Sequence, residues 1–167
     1  MTEQEFDGLM AREWESLAAL AARFLRASGM DGDADDIAQE ALFKLWELSQ
    51  NGYPIRNAKA LAVRIAKNLC VDRWRKQRQM RIQPLASDAY EGGTSAESAV
   101  DEKENARIRE LLYSHLSQTQ RQLLTLRGDY GLSLDEIALA TGKPKGSVKT
   151  AISQARKQVL EEIKKIR

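Results

Sequence analysis

Six side chains in the stretch KPKGSVKTAISQAR, which begins at Lys143, share one kind of chemistry: Lys145, Ser147, Lys149, Thr150, Ser153 and Arg156. Long cationic side chains reach phosphate oxygens and purine edges, and short hydroxyl side chains let a backbone approach closely. That is chemistry for reading a duplex, not for breaking a bond. Catalytic alternatives have little to work with. Cys70 is the only cysteine and His115 the only histidine, so an internal disulfide, a Cys-rich zinc site and a multi-His metal site are excluded. Gly92-Gly93 lies in polar sequence without the strand or Lys of a phosphate loop. Cys70 is expected as a small core residue and His115 as a partly exposed helix residue. The chain is expected to be no enzyme and to need no cofactor or metal.

The elements that must position the six residues are two short helices. Ser133-Leu134-Asp135-Glu136 fits a capping box, with Glu136 three residues after Ser133. Ile137, Ala138 and Ala140 continue that helix, and Thr141-Gly142 stops it, because glycine takes the left-handed conformation at a helix end. Pro144 suits the start of the next helix, where its missing N–H costs nothing. There Val148, Ile152, Ala155 and Val159 form a buried stripe, and the basic and hydroxyl residues lie on other faces. Two short helices around a tight Gly-containing turn make a helix-turn-helix, whose second helix meets base edges with its N-terminal half. A plain αα-hairpin with a solvated basic face stays open on this pattern alone.

Charge is segmented along the 167 residues although the net charge is only +2. Residues 1–50 carry eleven acids against four bases, a net of −7, and residues 51–83 nine bases against one acid, a net of +8. Residues 84–106 return to −5 and residues 107–167 to +6. This asymmetry suggests two basic faces for nucleic acid, an acidic surface for another partner and an acidic connector, while plain solvated charged faces stay open on charge alone.

Apolar residues recur at helical spacing nearly throughout, and no stretch alternates long enough to claim a strand. Trp14, Leu17, Ala18, Ala21, Phe24 and Leu25 make one stripe. Ile37, Ala41, Leu45 and Leu48 make a second, widened by Leu42, Phe43 and Trp46. Ala58, Leu61, Ala62, Ile65, Ala66, Leu69 and Trp74 make a third. The expected fold is all-α: a first domain of three or four helices over 1–83, a flexible acidic linker over 84–104, and a four-helix domain over 105–167. In the last, Ala106, Ile108, Leu111, Leu112 and Leu116 mark one helix. Ser117 caps the next, and Leu123, Leu124 and Leu126 face inward. No apolar run spans a bilayer, and the acidic N-terminus MTEQEFDGLMAREWE lacks the layout of a signal peptide, so a cytoplasmic protein without membrane insertion is expected.

The stretch LSQTQRQLLTLRGDYGLSLDEIALATGKPKGSVKTAISQARKQV resembles region 4 of the extracytoplasmic-function (ECF) sigma factors of bacterial RNA polymerase. DADDIAQEALFKLWE is similar to their region 2 helix, and AVRIAKNLCVDRWRKQRQ to the helix that follows it. The resemblance implies a subunit that binds core RNA polymerase and directs promoter-specific initiation. Asp35, Asp36, Gln39, Glu40 and Trp46 would dock on the clamp helices of the beta-prime subunit. Asn57, Lys59, Arg64, Lys67, Asn68, Asp72, Arg73, Arg75 and Arg78 would bind the −10 element and help melt it, with a pocket for an extruded base in the loop Tyr53 to Ala58. The six residues of the opening paragraph would read the −35 element. The beta flap and an anti-sigma factor are further partners the family implies. The chain departs from the pattern with Leu61-Ala62 where an aromatic is common, Leu116-Ser117 where Leu-Pro is common, and Pro144 where a Ser cap is frequent. The competing reading is a stand-alone helix-turn-helix regulator that binds duplex DNA without polymerase.

Overall fold

A computed structural model describes residues 1–78 and 102–166, with side chains from 107 onward in the second stretch. Among the described residues there is no strand, and no helix is long and apolar enough to cross a membrane. The helices are α1 (Glu3–Ser28), α2 (Ala34–Gln50), α3 (Ala58–Gln77), α4 (Glu102–Tyr113), α5 (Gln118–Leu124), α6 (Leu134–Thr141) and α7 (Lys145–Ile166). A π-helical turn, Thr125–Asp129, follows α5 directly. Two compact units result. Met1–Leu25 and the residues from Met30 through α3 belong to the first; Arg26–Gly29 and the four later helices belong to the second. Of the linker expected over 84–104, residues 84–101 lie outside the described residues and 102–104 are helical.

In the first unit the helix starts follow from local chemistry. The Asp33 carboxylate accepts from the Asp35 N–H at 2.9 Å and caps α2. Asp35 and Asp36 then occupy the first turn, where negative charge suits the helix dipole. Asn57 caps α3 by accepting from the Ala60 N–H at 3.0 Å. Gly52 sits between these helices at φ 79°. Leu17, Ala21 and Phe24 of α1, Ile37, Ala41, Leu42 and Leu45 of α2, and Ile65, Ala66, Cys70 and Trp74 of α3 make the core. Phe43 corrects the expected stripe. Its ring is 59% exposed, because α2 buries the line through Ala38, Ala41 and Leu45 and position 43 falls opposite it. Trp46 stays half-buried, its ring 4.9 Å from that of Phe6 on α1.

The second unit is organised around α7. Val148, Ile152 and Ala155 are buried as the spacing predicts, and Val159 is half-buried. Leu116, Leu123, Leu124, Leu126, Leu132 and Ile137 complete that core. Ser117 and Gln120 form a capping box at α5, and Ser133 and Glu136 another at α6. Gly142 ends α6 in the left-handed region at φ 71°, its N–H donating to the Ala138 carbonyl at 2.9 Å. The Pro144 carbonyl then accepts from Val148 at 3.1 Å and opens α7. Near the far end of α7, Gln158 donates to the His115 carbonyl at 3.2 Å and Glu162 meets the His115 ring at 3.4 Å.

On helix α4, Ile108 and Leu111, which mark the helix in the apolar pattern, are 44% and 59% exposed. A polar anchor sets its rotation. The Arg109 guanidinium pairs with the Asp129 carboxylate, reaches Thr125 Oγ1 at 3.4 Å and lies 5.0 Å from the Tyr113 ring centroid. This charge-assisted bond holds one face of the short helix, and Leu112 and Tyr113 follow it inward to half-buried positions.

Two stability predictions follow from this packing. A Cβ on Gly142 meets nothing within 4 Å, so Gly142→Ala carries only the backbone strain of a left-handed residue. It should lower the unfolding free energy by about 1 kcal/mol, and Gly142→Asn by less, as read from urea midpoints. Burial pushes the Cys70 thiol from its usual 9.0 up to about 12, with Arg73 opposing the rise. Below pH 9 the thiol is neutral in both folded and unfolded chains. Above it only the unfolded chain ionises, so this group draws stability down as pH rises from 9 toward 12. Thermal midpoints should therefore fall less steeply above pH 9 in Cys70→Ala than in the parent chain. An aromatic disulfide reagent at pH 8 should label Cys70 only after denaturation.

Candidate functional site

On α7 all six expected duplex-reading residues are exposed: Lys145, Ser147, Lys149, Thr150, Ser153 and Arg156. They do not form one line. Steps of three and four place Lys149, Thr150 and Ser153 on the face opposite the Val148–Ile152–Ala155 stripe, with Gly146 before them and Lys157 after. Lys145 and Arg156 flank one edge of that face, and Ser147 lies on the other, in line with exposed Gln154. Lys157 and Gln154 complete the surface. Their spacing from Ser153 and Ser147 is the signal that marks them.

Partners within the unit already occupy some of these groups. Lys145 Nζ lies 3.2 Å from Asp135 Oδ1, which ties the start of α7 to α6. Thr150 donates its hydroxyl to the Gly146 carbonyl at 3.0 Å, so it offers a contact partner a lone pair and a methyl group. Burial, with the Asp129 charge adding to it, raises the Tyr113 phenol, and Arg109 and Arg156 oppose the rise. Arg156 thus lies near the half-buried ring of α4, at the border of the basic face.

Helix α3 carries the second basic group and is covered on most of its circumference. Leu61, Ala62, Ile65, Ala66, Leu69, Cys70, Val71, Trp74 and Arg75 are all buried. Arg64, Lys67 and Asn68 are half-buried and share one side, and helical spacing continues that side to Arg75 and Arg78. Arg78 is exposed and its guanidinium lies 5.5 Å from the Trp74 ring. Arg75, at 8% exposure, belongs to the packed part of the helix. Asp72 is half-buried to one side of the strip. Lys59 and Arg73 project from the opposite side: Lys59 Nζ is 3.8 Å from Glu13 on α1, and Arg73 pairs with Glu40 on α2. Asn57 spends its carbonyl oxygen on the cap of α3. In the loop before it Pro54 and Arg56 are exposed, whereas Tyr53 and Ile55 are half-buried.

The acidic face of α2 brings Asp36, Gln39, Phe43 and Glu47 into one exposed line, with Asp35 beside its start. Glu40 borders the line and is held by Arg73. Trp46 is turned toward Phe6 and stands at the edge of the surface. Phe43 is the residue that sequence reasoning assigned to the core. Its spacing of four from both Gln39 and Glu47 carries the signal that it shares their face. Among the described residues no cluster of His, Cys, Asp and Glu is arranged to hold a metal.

Comparison with known proteins follows the same division. The model for sigma-70 region 2 matches residues 11–80, and that for sigma-70 region 4 matches residues 108–159. The ECF RNA polymerase sigma factor SigL of Mycobacterium tuberculosis is 29% identical over 152 residues, covering 88% of this chain and 84% of the relative. The ECF RNA polymerase sigma-E factor of Escherichia coli is 27% identical over 171 residues, covering 94% of this chain and 85% of the relative. A solved structure of the sigma factor RpoE with the anti-sigma factor NepR from Bartonella quintana aligns over 98% of this chain and 99% of that one, at 23% identity and a TM-score of 0.42. Regions 2 and 4 stand in order on one chain, and ECF relatives align across most of its length; the chain belongs to the sigma-70 family, in its extracytoplasmic-function group.

Proposed function

We propose that this chain is an alternative sigma factor: a non-catalytic, cytoplasmic subunit that binds core RNA polymerase and directs promoter-specific transcription initiation. The observation that carries the reading is the pairing of regions 2 and 4 on one chain, each with a basic helical face, together with an acidic face on the first. A stand-alone regulator is not favoured, since it has no task for that acidic face or for the basic α3. The assignment of residues follows the geometry. The α2 line of Asp35, Asp36, Gln39 and Phe43, with Glu40 at its border, docks on a basic helical partner, the clamp helices of the beta-prime subunit. Trp46 supports that surface from its edge. The α3 strip through Arg64, Lys67, Asn68 and Arg78 follows the −10 element, with Asp72 beside it and the Asn57 amide at the start of the helix; Lys59 and Arg73 reach nucleic acid from the opposite side of the helix, and Arg75 supports the strip from within. The α7 face reads the −35 element. The second unit also meets the beta flap, and an anti-sigma factor is a further partner. The domains run over 1–83 and 105–167, with a connector between them.

Run-off transcription with bacterial core polymerase on fragmented source DNA tests the whole reading. Transcripts that depend on this protein and share upstream sequence are the expected outcome. No such transcripts, and no complex with core polymerase on a sizing column, would refute it. On a promoter found this way, Lys149→Ala and Arg156→Ala should each weaken initiation. The loss should be about 1–3 kcal/mol where the side chain makes a bidentate contact to a base, and base substitutions at the contacted position should then cease to matter. Phe43→Ala should weaken core polymerase binding by about 2 kcal/mol, the scale of a central aromatic anchor, while the thermal midpoint stays unchanged because the ring is solvent-exposed.

A further inference from the structure

Glu40 and Arg73 belong to two different surfaces and are bonded to each other. Glu40 borders the acidic line of α2, and Arg73 lies on the far side of α3 from the Arg64–Lys67–Asn68 strip. The guanidinium of Arg73 donates to Glu40 Oε2, and each side chain is 38% exposed. Both ends of the bond are therefore open to an approaching ligand. We propose that this pair is a shared contact: in the free protein Glu40 masks Arg73 from nucleic acid and Arg73 masks Glu40 from polymerase, and engagement of either one releases the other. The proposal rests on the sigma-factor reading and adds to it a regulation of its two surfaces.

Magnitudes favour exchange. A solvent-exposed ion pair biases an equilibrium by up to about fivefold. A bond from arginine to a phosphate, or from a carboxylate to a basic helix that excludes water, is stronger than that, so either ligand can displace the internal partner. While paired, Arg73 presents a neutralised guanidinium with fewer N–H groups to spare, and Glu40 a carboxylate already satisfied on one oxygen. The same bond energy appears on both sides of the linkage, so the coupling is reciprocal. Asp36 stands one turn before Glu40 and Lys76 one turn after Arg73, and both are exposed.

The test uses the full chain and two binding assays. The first measures affinity for a fluorescein-labelled oligo-thymidine strand of about twenty nucleotides, across about 50 to 200 mM salt. Glu40→Gln should tighten binding about fivefold and steepen the salt dependence by about 0.7 in the log–log slope, the signature of one more phosphate neutralised. Asp36→Asn, which removes the same charge without touching Arg73, should change affinity less than twofold. In an Arg73→Gln background the gain from Glu40→Gln should vanish. The second assay measures affinity for core RNA polymerase, where Arg73→Gln should tighten binding because it frees Glu40. A brace of purely structural value would instead lower the thermal midpoint in both single variants and leave the salt slope unchanged. The proposal is overturned if Glu40→Gln binds the oligonucleotide no more tightly than Asp36→Asn, if its gain persists without Arg73, or if Arg73→Gln leaves polymerase affinity unimproved. A chain that does not bind core polymerase in any form would overturn the sigma-factor reading. The oligonucleotide arm would then still decide whether Glu40 masks Arg73.

Discussion

The first unit depends on burying a helix that must also present charge. Helix α3 supplies nine buried positions spread around most of its circumference, with the whole of Trp74, Ile65, Ala66 and Cys70 inside. Burial of that much apolar surface holds three helices together. It also confines the basic side chains to what remains, a narrow strip and the ends of long stems. Arg75 is drawn into the packing, and Arg78 lays its charge beside Trp74. Among the described residues of α3, the core sorts the cations into the Arg64–Lys67–Arg78 strip on one side and the Lys59 and Arg73 pairs on the other.

Helix α2 solves a simpler problem. Its buried line through Ile37, Ala38, Ala41 and Leu45 is set by period, and everything opposite it faces out. The result places an aromatic ring among acids. A surface phenylalanine of that exposure is a poor neighbour for water and a good one for a partner that brings both apolar area and positive charge. The Glu40–Arg73 pair joins the edge of this acidic line to the side of α3 that lies away from the Arg64–Lys67–Asn68 strip.

The second unit orients α7 from both ends. The left-handed Gly142 and the Pro144 carbonyl aim its start, and His115 with Gln158 and Glu162 holds its far half to the α4–α5 turn. Between them the Arg109–Asp129 pair rests on the π-helical turn, whose extra residue per turn carries the chain from α5 toward the Ser133 cap. The hydroxyl and basic face of α7 is held outward by the buried Val148–Ile152–Ala155 side.

Much of this was legible in the amino-acid sequence for a physical reason: helix ends and single-helix stripes are local. Ser117, Ser133 and Gly142 act on atoms a few residues away, so their types and spacing alone located α5, α6 and the turn before α7. The Val148–Ile152–Ala155 stripe and the acid and base segments are local in the same sense. What only the tertiary structure decided involves partners far apart in the chain. The rotation of α4 depended on Asp129, not on Ile108 and Leu111. The burial of Arg75 depended on how completely α3 is enclosed. Whether Arg73 faces solvent or Glu40 depended on two helices meeting. Periodicity gives each helix an apolar side but not its neighbour, and a charged side chain takes its role from that neighbour.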